Sequence, residues 1–204
     1  MRPATCFWVV PLFLLLQASH AQDGPDVPCS EVHAMARISR ATSLAELDKA
    51  KQNAGGSYRA RIVLSARSFE LQPANRDAAV SLLNLLPQND AQHMTLMTLG
   101  DSLCDKESVV EMKSLSRLGE RLPRDLAKAV LLVPDKLPGY VAYAPTSVQD
   151  PHSDYAVQMQ TVCRVKHSEF VKAVEGLPSD QRDWFSKHVL NPEGCHALAL
   201  PEAE

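Results

Sequence analysis

NRDAAVSLLNLLPQNDAQHMTLMTLGDSLCDKESVVEMKSLSRLGE, residues 75–120, is the stretch on which the reading of the fold turns. Asn75 is a good helix cap, because its side-chain oxygen can accept the free N–H groups of a first turn. Behind it Ala78, Ala79, Leu82, Leu83 and Leu86 recur at steps of three and four, the spacing of one broad apolar helix face. Pro87-Gln88-Asn89-Asp90 closes that helix and opens the next, which carries Met94, Leu96, Met97 and Leu99 and stops at Gly100. A third helix resumes after Cys104 with Val109, Met112, Leu115, Leu118 and Leu122. Three helices with their stops written between them predict an all-α protein.

Toward the C-terminus, Leu122-Pro123 and Leu177-Pro178 repeat the Leu86-Pro87 pattern, each with an aspartate two or three residues on. Pro123 is therefore expected to open a separate helix, since a first-turn proline loses no hydrogen bond. Residues 134–151 carry five helix-breaking positions, Pro134, Pro138, Gly139, Pro145 and Pro151, and are expected to form a long loop. Tyr140 and Tyr143 sit in it and are the candidate binding residues, because long loops on a rigid scaffold commonly carry function. Tyr155, Met159, Cys163, Phe170 and Val174 form one stripe, which predicts a single long helix ending near Gly176. Ser179 or Asp180 caps a last helix that turns Trp184, Phe185, His188 and Val189 inward.

Toward the N-terminus, Tyr58 to Phe69 can be stepped as strand or helix, and helix is chosen because the alternation would bury Val63 together with Arg59 and Arg61. Ser43-Leu44-Ala45-Glu46 is a capping-box pattern, Gly55-Gly56 ends that helix, and Ser30 is expected to cap the first one. Residues 1–21, with Arg2, an apolar run from Cys6 to Leu16 and the small-residue site Ser19-His20-Ala21, have the pattern of a secretory signal peptide. That run is too short for a stable membrane anchor, which needs about 20 apolar residues. A flexible leader (22–29), one helical domain (30–195) and an acidic tail (196–204) complete the expected organisation.

The expectation is an irregular bundle, or short array, of antiparallel helical hairpins with seven to nine helices. The 204 residues carry 24 acidic against 21 basic side chains, a net charge of −3, with no basic run of the kind nucleic-acid binding requires. Cys29, Cys104, Cys163 and Cys195 remain after the signal, an even number that favours two disulfides in an oxidising compartment. Cys29 with Cys195 and Cys104 with Cys163 is the preferred pairing of the three possible ones. The absence of CxxC argues against a redox or zinc-knuckle motif. Cys163 and His167 share a helical face, but sequence points to no further ligand, so no metal and no cofactor is expected.

Gly100-Asp101-Ser102-Leu103 resembles the first block of the GDSL (SGNH) hydrolases. That resemblance implies a nucleophilic serine, Ser102, deprotonated by a histidine while backbone N–H groups hold the oxyanion. The chain departs from the family's pattern elsewhere. The segment before Ser102 reads as helix instead of strand, the Gly-x-Asn-Asp block is missing downstream, and the closing Asp-x-x-His is compressed to Asp150-Pro151-His152. A helix stop at Gly100 followed by a cap accounts for the same letters. The expected function is accordingly a non-catalytic, exported helical protein, periplasmic or extracellular, that binds a protein or peptide outside the cytoplasm. The alternatives are a serine esterase through Ser102, Asp150 and His152, and a small-ligand carrier.

Overall fold

The computed structural model describes residues 28–99, 109–147, 154–190 and 195. These contain ten α-helices and no strand: α1 Cys29–Arg40, α2 Leu44–Lys51, α3 Tyr58–Leu71, α4 Arg76–Leu83, α5 Asp90–Met97, α6 Val109–Leu132, α7 Leu137–Ser147, α8 Asp154–Val165, α9 His167–Glu175 and α10 Ser179–His188. The all-α expectation holds, with slightly more helices than the seven to nine anticipated.

Several starts follow from the capping residues. Asn75 accepts from the N–H groups of Asp77 and Ala78 at 2.9 and 3.1 Å. Ser57 accepts from the Ala60 N–H at 3.0 Å, and its hydroxyl donates to the Glu31 carboxylate, tying the start of α3 to α1. Ser43 accepts from the Glu46 N–H at 3.3 Å, while Glu46 reaches past Ser43 to accept from the Thr42 N–H at 2.7 Å and its hydroxyl at 2.9 Å. Asn89 and Gln92 repeat that one-residue shift of the capping box, Gln92 accepting from the Gln88 N–H at 2.8 Å. The first helix, by contrast, begins at Cys29 with Pro28 at its cap and no side-chain bond, so the cap stands two residues before the expected Ser30.

Pro123 does not open a new helix; it lies inside α6. Its ring removes one hydrogen bond, to the Gly119 carbonyl, at a cost of about 3 kcal/mol or more. Leu115, Leu118, Leu122, Leu126, Ala129, Val130 and Val133 are all buried and stay in helical phase across it. Each buried leucine contributes about 1.5–3 kcal/mol, so keeping four of them on one continuous face outweighs the lost bond. α6 is the central helix, packed on α1, α3, α4 and α8. α7 organises the other part, packing on α5, α8, α9 and α10.

The long helix expected after Tyr155 is broken at Lys166, whose backbone (φ −126°, ψ 49°) separates α8 from α9. The stripe is the same on both sides, so periodicity could not reveal the break. Its tertiary reason is that α8 packs on α6 while α9 packs on α7, two directions a straight helix cannot serve. Phe185 in α10 and Val189 just past its end are buried as expected, whereas Trp184 and His188 are only half-buried.

Candidate functional site

The segment expected to be a loop is helical wherever it is described. Pro134 opens a 3-10 turn, Pro134–Lys136, and Pro138 falls in the first turn of α7, where a missing N–H costs nothing. Leu137, Tyr140 and Val141 step at three and four, and all are buried. Tyr140 and Tyr143, the candidate contact residues, therefore point into the core at 0% and 4% exposure. This corrects their reading as loop residues. The outward side of α7 is made instead of Pro138, Gly139 and Ala142.

Tyr143 stacks on His93 of α5, with ring centroids 5.8 Å apart, and meets Tyr140 and Tyr155 edge-on at 5.8 and 6.0 Å. Burial pushes all three phenols above the ordinary tyrosine range, with neighbouring tyrosines adding to the effect. The Tyr58 hydroxyl donates to the Leu85 carbonyl, but the Tyr140 hydroxyl has no hydrogen-bond partner among the described residues. A buried hydroxyl left unpaired costs about 1–3 kcal/mol. Tyr140→Phe is thus expected to raise stability by about 1 kcal/mol or more in urea denaturation; a loss of that size would show that the hydroxyl is bonded after all.

Two concavities flank α7. Between α7 and α9 lies a partly open groove of about 610 Å³, lined by Pro134, Leu137, Pro138, Ala142, Ala173 and Leu177, with Asp135, Glu169 and Lys172 adding charges of both signs. The Ser168 hydroxyl, with Lys166 as a lesser influence, holds the Glu169 carboxyl below its usual range, so this residue is an anion at neutral pH. Between α5 and α7 a cleft of about 320 Å³ is lined by Gln88, Asn89, His93, Gly139 and Tyr143. Ala142 lines both.

Of the sequence-predicted site residues, Ser102, Asp150, His152 and Cys104 lie outside the described residues. Cys163 is bonded to Cys195, with 5.7 Å between their Cα atoms. This overturns the preferred pairing of Cys195 with Cys29 and of Cys163 with Cys104. Cys29 is itself in a disulfide, and its partner lies outside the described residues. The end of α8 carries Cys163 to the one place where residue 195 passes, which spacing alone could not show. His167, four residues on, is exposed beside the bond.

Sequence reasoning also missed Asp125. Read as a helix-opening aspartate, it is instead a mid-α6 carboxyl at 5% exposure. Nearby, Glu70 of α3 accepts from Arg67 and pairs with Arg121 of α6 at 2.8 Å. Burial, then the Glu70 charge, pushes Asp125 up to about 6, against the pull of Arg124, Lys128 and Arg121. An unfolded aspartate ionises near pH 4, so the folded chain holds more protons between about pH 4 and 6. Stability therefore falls as pH rises through that window and carries the full penalty above it. Asp125→Asn is expected to stabilise the protein at pH 7.5 by about 1–3 kcal/mol and to have no such gain at pH 4, measured by urea denaturation at both.

Among the described residues no helix is long and apolar enough to cross a membrane. The chain matches no protein-family model, no curated protein and no solved structure.

Proposed function

We propose that this protein is a non-catalytic, exported helical binding protein whose groove between α7 and α9 takes an apolar segment of a protein or peptide partner. The observation that carries the reading is the groove's make-up: a mainly apolar floor of about 610 Å³ with Asp135, Glu169 and Lys172 exposed around it. Buried apolar anchors would supply affinity there, and the flanking charges would set orientation and choice of partner. Export is supported by the signal-like residues 1–21 and is compatible with the Cys163–Cys195 disulfide, a bond that persists in oxidising compartments.

The test is a peptide-display selection on the folded protein, repeated with Ala142→Arg. Ala142 is exposed and lines the groove, so the change fills the groove without disturbing the core. Enrichment of peptides with two or three apolar anchors, lost in the variant, is the expected result. Failure to enrich, or enrichment indifferent to Ala142→Arg, would sink the proposal. The groove's volume also lies within the range of about 300–1,000 Å³ usual for small-molecule sites. A small apolar carrier is therefore the second reading, favoured if an apolar fluorescent probe binds in the groove and no peptide displaces it. Cleavage of a p-nitrophenyl ester, abolished by Ser102→Ala, would instead support the esterase.

A further inference from the structure

Three ligand-bearing side chains converge at the break between α8 and α9. Cys163 lies in the last turn of α8, His167 begins α9, and Cys195 comes from the C-terminal part of the chain; their ligand atoms all lie within 4.8 Å of one another. His167 Nδ1 is 3.3 Å from Cys195 Sγ and 4.0 Å from Cys163 Sγ. Zinc–sulfur and zinc–nitrogen bonds of about 2.3 and 2.0–2.1 Å, meeting at tetrahedral angles, put nitrogen and sulfur about 3.6 Å apart. The two observed distances straddle that value. Only the two sulfurs must separate, to about 3.8 Å in the same geometry, which rotation of the cysteine side chains can supply once the bond is broken.

We propose that the Cys163–Cys195 disulfide is one state of a redox-gated zinc site, in which reduction frees both thiols to bind Zn²⁺ together with His167 Nδ1. A dithiol reductant breaks the S–S bond by exchange; it closes to its own disulfide and leaves two protein thiols. Each thiol then gives up its proton as its sulfur ligates the metal, so one zinc displaces two protons. Two thiolates neutralise the ion's charge, and the imidazole completes a three-residue set with a fourth position open to solvent or to another ligand. His167 is exposed while both sulfurs are buried, so the metal enters from the histidine side. Exchange with a disulfide oxidant, which takes up two electrons and two protons to become two thiols, re-forms the S–S bond and expels the metal. Cys163 and His167 stand four residues apart across the break at Lys166.

The test uses the full folded chain, oxidised or reduced with a water-soluble trialkylphosphine, which becomes its oxide with water as the oxygen source. Zinc affinity is read by competition with a chromophoric chelator, and Co²⁺ substitution reports thiolate ligation through sulfur-to-metal charge-transfer absorption. The oxidised chain is expected to take up no zinc, and the reduced chain one equivalent, more tightly as pH rises because protons are released. His167→Ala is expected to weaken binding at least 10-fold, and Cys163→Ser to abolish the charge-transfer band. Cys29→Ser is expected to leave both unchanged, separating this site from the other disulfide opened by reduction. Should the reduced chain unfold, zinc-dependent recovery of its helical circular dichroism supports the site, and no recovery overturns it. Should Cys163→Ser not fold, the exposed His167→Ala decides alone. No zinc uptake on reduction, or uptake indifferent to His167→Ala, overturns the proposal.

Discussion

Leu118→Ala is expected to destabilise the fold by about 2–5 kcal/mol, toward the upper end of that range. Leu118 is 1% exposed, on a helix that packs against four others. A cavity left at a fully buried position of the central helix has little freedom to collapse, and the cost of a large-to-small change grows with the volume left empty. Urea denaturation measures it through the midpoint at unchanged slope. A loss below about 1 kcal/mol, the level of an ordinary surface change, would mean that α6 is not the centre of the core.

The second large effect is expected from removing the Cys163–Cys195 bond by the double change Cys163→Ser and Cys195→Ser, which leaves no stray thiol. The bond spans a sequence separation of 32 residues. On the chain-entropy model, closing a loop of that length is worth about 3–4 kcal/mol, through the freedom removed from the unfolded chain. The loss appears in denaturant without reductant present. Little change would mean that α8, α9 and residue 195 hold together by packing alone. Against a total stability of about 5–15 kcal/mol for a protein of ordinary size, either change would take away a large share.

What could be read from the letters, and what could not, divides along the range of the forces involved. Ser43 and Asn75 cap helices as expected because a cap is settled within three residues. The choice of helix for Tyr58 to Phe69 also held, but its reason was only half right: Arg61 is exposed, whereas Arg59 is buried in the helix too. Pro123 misled because a local breaker met a longer apolar register that crosses it in phase. Pro134 and Pro138 misled for the opposite reason: both occupy first turns, where proline is compatible with helix. The break at Lys166 and the true partner of Cys195 depend on where α6 and α7 lie in space, and no spacing along the chain records that.

The candidate site was legible as a place but not as an arrangement. Residues 134–147 do line both concavities, the groove through Pro134, Leu137, Pro138 and Ala142 and the cleft through Gly139, Ala142 and the largely buried Tyr143, while Tyr140 lines neither and is wholly buried. Aromatic residues draw attention because they dominate interfaces. Here the same property fills a core around His93 and Tyr155.

The shifted capping boxes at α2 and α5 are two copies of one device, and the difference that matters in acid is that Glu46 carries a charge and Gln92 does not. The bonds from Thr42 hold the Glu46 carboxyl below its usual range, so the arrangement is intact above that range and opens as acid protonates the carboxylate. Amide hydrogen exchange at Thr42 should therefore quicken, relative to its intrinsic rate, as the solution is acidified, while exchange at Gln88 keeps its protection. Local opening at the mouth of α2 is thus coupled to a proton, and the same opening at α5 is not.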